Sequence, residues 1–187
     1  MDMLFSLKSD ESIYAKGDPV KQKSLLKMIH IALGIAIIAV ATLVLQVPVP
    51  LGYVNLGEVF ILLLGFLFGP LEAGICAGIG AMFGDFFTGY VYWMPITFLT
   101  KGLEGALCGM LLVRVKKKEL YRSPYVWLSG IVLILMLNLG YVIGGAILYS
   151  SLAVSLTQVP SLVVQGAVGF GGFLALLYPI SKLKGKL

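Results

Sequence analysis

Histidine occurs once in 187 residues, as His30, and cysteine twice, as Cys76 and Cys108. A single histidine removes H-E-x-x-H and every multi-histidine metal centre. Two cysteines set inside apolar runs give neither a disulfide framework nor a metal-ligand spacing, so no metal and no cofactor is expected. Charge is scarce as well: Asp, Glu, Lys and Arg make up 12% of the chain against 59% hydrophobic residues, and mean hydropathy is +0.98. A water-soluble domain of this length cannot present so little polar surface; the solvent is lipid. No G-x-x-x-x-G-K followed by Ser or Thr is present, so ATP is not bound through a phosphate loop. There is no G-x-S-x-G nucleophile turn and no carboxylate pair at dyad spacing deep in the apolar runs. The chain is not expected to be an enzyme.

What remains is apolar runs separated by turn signals. About 20 apolar residues cross a bilayer as a helix, and the expected fold is all-α, a polytopic bundle of six spans at about 24–46, 58–68, 71–87, 95–113, 124–148 and 160–180. This makes a single membrane domain over 24–180, between an N-terminal segment 1–23 and a basic tail 181–187. Residues 46–57, QVPVPLGYVNLG, read as an extended loop, since Pro48 and Pro50 do not continue a helix. Gly69-Pro70 marks a turn, so 58–87 is either two short spans or a re-entrant hairpin. Gly74/Gly78 and Gly80/Gly84 are small-residue pairs that permit close helix approach. Pro95, Pro124 and Pro160 stand where a first-turn proline is tolerated. Residues 149–159 read as a Ser-containing loop.

Charge orients the bundle. Of 14 Lys and Arg, Lys8, Lys16, Lys21, Lys23 and Lys27 precede the first span, and Arg114, Lys116, Lys117, Lys118 and Arg122 lie between the fourth and fifth. Lys182, Lys184 and Lys186 follow the sixth, and only Lys101 lies within a span. Six spans with both termini cytoplasmic place all but Lys101 on the side that membrane proteins keep positive. The net charge of +5 therefore needs no nucleic-acid partner.

Ionisable residues inside spans default to functional hypotheses. On the fourth helix Thr97, Lys101, Glu104 and Cys108 fall on one face, with Lys101 about 9 Å below the outer end. They form either a packing ion pair or the floor of a site that meets a polar solute. Asn138 and Tyr141 on the fifth span, Gln165 on the sixth and Asp85 on the third stand at a similar depth. Trp93, Tyr90 and Tyr92 are interfacial-belt residues or a stacking surface for a ring-shaped ligand. Glu58 and Glu72 sit at helix starts, where a carboxylate favours the helix dipole, and both read as caps. Ala32, Ala36 and Ala39 make a small-residue stripe on the first span, for internal packing or for docking another membrane subunit.

The stretch 52–109 resembles the substrate-binding S components of energy-coupling factor (ECF) vitamin transporters. The resemblance lies in YVNLGE at 53–58, LFGPLEAG at 67–74, GD at 84–85 and KGLEG at 101–105. It is strongest to the branch with riboflavin, hydroxymethylpyrimidine and pyridoxine carriers. It implies a six-helix bundle in the bacterial cell membrane that captures a vitamin from outside. The implied partners are a transmembrane T component and two cytoplasmic ABC-type ATPases, and delivery is by toppling of the bundle in the bilayer. The alanine motif that docks the T component in that family matches Ala32 and Ala36. The implied pocket draws on the loops after the first and third helices and on helices four to six, which adds Asn55 to the candidates Asp85, Trp93, Thr97, Lys101, Glu104, Asn138, Tyr141 and Gln165. A pyridoxine- or hydroxymethylpyrimidine-sized ring suits these groups, with riboflavin, or a self-sufficient secondary carrier, as the alternatives.

Overall fold

The computed structural model describes residues 19–44, 46–49, 51–116 and 119–182. Most of the N-terminal segment, Pro50, Lys117, Lys118 and the tail from 183 onward lie outside the described residues. Helices dominate: α1 Pro19–Val44, α2 Gly57–Phe68, α3 Pro70–Thr88, α4 Met94–Leu112, α5 Pro124–Leu148, the short α6 Leu152–Leu156 and α7 Val159–Ser181. Two strands, β1 Gln46–Val49 and β2 Gly52–Asn55, form an antiparallel hairpin between α1 and α2. The chain divides into two compact units, 1–33 and 34–187. In the first, the description is of the N-terminal turns of α1.

The second unit holds everything else. Among the described residues, four helical segments are long and apolar enough to cross a membrane: Ser24–Val44, Pro70–Thr88, Pro124–Leu148 and Leu152–Ser181. Many large apolar side chains on the outside of the bundle are exposed, among them Ile131, Leu135, Leu139, Ile143 and Ile147, five residues in one row of α5. A water-soluble surface rarely carries such a contiguous stripe; an all-α polytopic membrane protein does.

Prolines begin the helices where the missing N–H costs nothing: Pro70 in α3, Pro95 in α4, Pro124 in α5 and Pro160 in α7. Gly69 ends α2 with φ +89°, a backbone region that side-chain-bearing residues seldom enter, and the chain re-enters a helix at once. The 58–87 stretch is thus two helices. The first, 12 residues long, is about 18 Å, well short of the roughly 30 Å hydrocarbon core. Nine of its 12 residues are buried, so protein encloses most of this short helix, as irregular or short segments at membrane depth require.

The two glycine pairs of α3 serve different neighbours. A Cβ on Gly74 or Gly78 would come within 3.0 Å of the α4 carbonyls of Gly102 and Phe98. Gly80 faces the other way, toward Ile35 O of α1 at 2.9 Å, and Gly84 abuts Thr42. From α4, Gly105 and Gly109 approach Ala73 O and Pro70 Cα, each 2.7 Å from where a Cβ would stand. The α3–α4 seam is therefore backbone against backbone, the closest packing that helices allow.

Two loop readings are corrected. The 46–57 segment is a hairpin, registered Gln46↔Asn55, Val47↔Val54, Pro48↔Tyr53 and Val49↔Gly52. Val47, Val49 and Val54 favour the pleat, and a two-stranded sheet has only edges, where proline is admitted. Within 149–159, Ser151 accepts a hydrogen bond from Val154 N (3.3 Å) and caps the short α6.

Apolar packing concentrates away from the hairpin, where Phe66, Leu112, Val126, Leu133, Phe173 and Leu177 are all fully buried. The polar interior lies toward the hairpin.

Candidate polar cavity beneath the hairpin

A partly open cavity of about 60 Å³ lies under the hairpin, lined by residues of α1, both strands, α2, α3, α4, α5 and α7. Its floor is Lys101, which α4 directs inward from the face shared with Thr97, Glu104 and Cys108; all four are buried. The ammonium is ion-paired with Glu58 and lies 3.4 Å from Glu104 Oε2. Gln165 of α7 donates its amide to Glu58 Oε1 at 2.6 Å. Glu58, Lys101 and Glu104 are each no more than 2% exposed. Charges buried this deeply require partners, and here three helices supply them to one another.

Above this floor, Asp85 of α3 accepts a 2.7 Å hydrogen bond from the Tyr53 hydroxyl of β2. Burial, reinforced by the Asp85 carboxylate, holds the Tyr53 phenol well above its ordinary range, so it stays a donor. The other Asp85 oxygen, Oδ2, is buried and without a hydrogen-bond partner among the described residues. Thr97 and Tyr141 share a hydrogen bond of 3.1 Å. The Trp93 ring packs on Tyr141 with centroids 5.6 Å apart, and Tyr53 packs on Tyr90 at 5.4 Å. Lys101 Nζ stands 5.7 Å from the Tyr141 ring centre, within cation–π range.

Of the residues expected from sequence, Asn55, Asp85, Trp93, Thr97, Lys101, Tyr141 and Gln165 line this cavity. Asn55 also has a local duty, since its Oδ1 accepts from Gly57 N at 2.8 Å and begins α2. Glu104 stands behind Lys101 and off the lining. Asn138 is not brought in: its amide donates to Ile134 O, four residues back, at 2.8 Å. Polar residues at the right depth line a cavity only if their azimuth agrees; here the amide nitrogen is spent on a carbonyl of the same helix, while Asn138 Oδ1 is buried without a hydrogen-bond partner among the described residues.

Glu58 is a correction. It occupies the first turn of α2 as a cap would, yet its carboxylate is spent on Lys101 and Gln165. Glu58 and Glu104 therefore do meet deep in the bundle, through one lysine, although the sequence reading found no such pair. Tyr53, Gln158 and Ser161 also line the cavity without having been singled out. Tyr53 was within reach of a strand reading, because alternation puts it on the same face as Asn55. Tyr90 lines the cavity, whereas Tyr92 is 84% exposed, as an interfacial ring would be. In the first helix Ala32 and Ala36 are exposed and Ala39 is half-buried. No group of three His, Cys, Asp or Glu suited to a metal ion occurs among the described residues.

Sequence comparison adds an independent line. A Pyrococcus woesei protein, described as an uncharacterized protein in a gap 3'region, is 38% identical over 74 residues, covering 38% of this chain and 49% of the relative. The chain thus spans about half the length of the curated relative it matches. Residues 22–182 match the family described as ECF-type riboflavin transporter, S component, a stretch that takes in the whole hairpin, cavity and bundle. The chain belongs to this family of membrane-embedded transporter S components, which are not enzymes.

Proposed function

We propose that this chain is the substrate-binding subunit of an ECF-type importer, and that the cavity under the hairpin is where a small vitamin or vitamin precursor is held. The observation that supports this best is the burial of Lys101, Asp85, Thr97 and Gln165 around one cavity inside a bundle with an apolar exterior. Intramembrane charge is costly and is kept where it meets a solute. On this reading six helices span the bilayer with both termini cytoplasmic, and the hairpin faces outward as a lid. A volume of about 60 Å³ is below the roughly 150 Å³ that admits benzene, so the cavity must widen to hold a vitamin, and on this reading the hairpin is the part that lifts. A pyridoxine- or hydroxymethylpyrimidine-sized ring asks less of that motion than riboflavin does.

A T component and two ABC-type ATPases complete the importer, and toppling of the bundle delivers the ligand. Ala32 and Ala36, exposed and one turn apart on α1, are the docking stripe. Copurification tests this. The chain expressed with a T component and ATPases brings them down, and Ala36→Trp loses them while ligand binding persists. Uptake into vesicles that contain only this chain and an ion gradient would refute the reading in favour of a self-sufficient carrier.

A further inference from the structure

Among the described residues five buried side-chain atoms have no hydrogen-bond partner: Gln46 Nε2, Glu58 Oε2, Asp85 Oδ2, Glu104 Oε1 and Asn138 Oδ1. Of these five residues only Asp85 lines the cavity under the hairpin. A buried polar atom left unpaired is costly and calls for an explanation. The other oxygen of Asp85 is occupied, since the Tyr53 hydroxyl donates to Oδ1 at 2.7 Å. The Thr97 hydroxyl also lies beside this carboxyl, but it shares a 3.1 Å hydrogen bond with the Tyr141 hydroxyl. Asp85, only 5% exposed, therefore keeps one satisfied and one unsatisfied oxygen at the cavity wall.

Hydrogen-bond chemistry limits what can complete it. With Oδ1 accepting from Tyr53, Oδ2 is an acceptor when Asp85 is ionised and carries the donating O–H when it is protonated. A ring N–H serves only the first form, and a ring carbonyl only the second. A hydroxyl serves both, because it donates one hydrogen bond and accepts others. The ligand needs no charge of its own: Lys101, the one Lys, Arg or His among the described lining residues, is ion-paired with Glu58.

We infer that Asp85 Oδ2 seats an uncharged hydroxyl of the ligand, and that the ligand is a neutral, hydroxylated vitamin recognised through that group. Asp85 is then the residue that discriminates against molecules lacking the hydroxyl. The inference rests on the vitamin-binding reading above and deepens it by naming the kind of ligand group the cavity wall selects. Riboflavin, named in the family's description, and pyridoxine both carry such hydroxyls.

The test uses the full chain in nanodiscs and begins with mass spectrometry of whatever small molecule is released when the purified protein is denatured. Titrations follow with riboflavin, pyridoxine and the monodeoxy derivatives of each, which remove one hydroxyl at a time. For the vitamin that binds, one monodeoxy form should be about tenfold weaker than its parent, the loss of a hydrogen bond to a buried carboxyl. In Asp85→Ala the same deletion should cost less than about twofold, and that coupling places the hydroxyl on Asp85. Where the alanine variant does not fold, Asp85→Asn, nearly isosteric, should shrink the same penalty. A penalty that is unchanged in the variant for every derivative overturns the assignment and leaves the vitamin-binding reading standing. So does equal affinity of every monodeoxy form and its parent, which needs no variant, or a released ligand without a hydroxyl. If nothing is released and no probe binds, the vitamin-binding reading fails and this inference with it.

Discussion

Helices α4 and α5 pack against each other yet solve opposite problems. α5 satisfies a test of length and apolarity for crossing a membrane, and α4 is not among the segments that do. Along α5 the row from Ile131 to Ile147 is more than half exposed, as a helix that meets lipid should be. α4 turns Thr97, Lys101 and Glu104 inward instead, and holds them with Glu58 of α2 and Tyr141 of α5. Hydropathy measures how a helix treats lipid; α4, which falls outside the four apolar segments, is the helix that turns Lys101 and Glu104 into the interior. What protects α4 is its neighbours, through the ion pairs on one face and the glycine seam with α3 on another.

The largest consequence of that contrast is at Lys101. Lys101→Met leaves Glu58 and Glu104 buried without their cation, and breaking such a network costs about 3–5 kcal/mol. Denaturant or thermal unfolding in detergent should show that loss. Gly105→Ala comes next, because the new Cβ would stand 2.7 Å from Ala73 O. Forcing the seam apart costs about 1–3 kcal/mol. Gly171→Ala, with nothing within 4 Å, should gain a few tenths to about 1 kcal/mol in the same assay. Ligand affinity sharpens the comparison further: Gln165→Ala removes a hydrogen bond to a buried carboxylate at the cavity wall and should weaken binding about tenfold. Asn138→Ala should change it less than about twofold, within the range of substitutions remote from a site. The smallest effect belongs to the lipid face of α5, where Leu139→Ala should stay within about 0.5 kcal/mol of the parent protein.

Much of this arrangement was legible in the residues. The first-turn prolines at 95, 124 and 160 marked helix starts because their chemistry is local. The inward face of α4 followed from spacing alone. Glu58 escaped for the same reason in reverse. Its position invited a local explanation, while its partners lie 43 and 107 residues away in sequence. Asn138 was drawn in by depth, and depth says nothing about azimuth or about a carbonyl one turn back. Pro48 and Pro50 argued against a strand, and only the pairing of β1 with β2 shows that both strands are edges.

The central claim is that ligand enters the cavity under the hairpin, and tryptophan fluorescence tests it most directly. The chain has two tryptophans: Trp93 lines the cavity, and Trp127 lies outside it on α5. In Trp127→Phe, titration with the molecule released from the purified protein should change Trp93 emission saturably, and Trp93→Phe should leave Trp127 silent. Saturable binding that leaves Trp93 emission unchanged, or that is reported by Trp127 alone, would contradict the account.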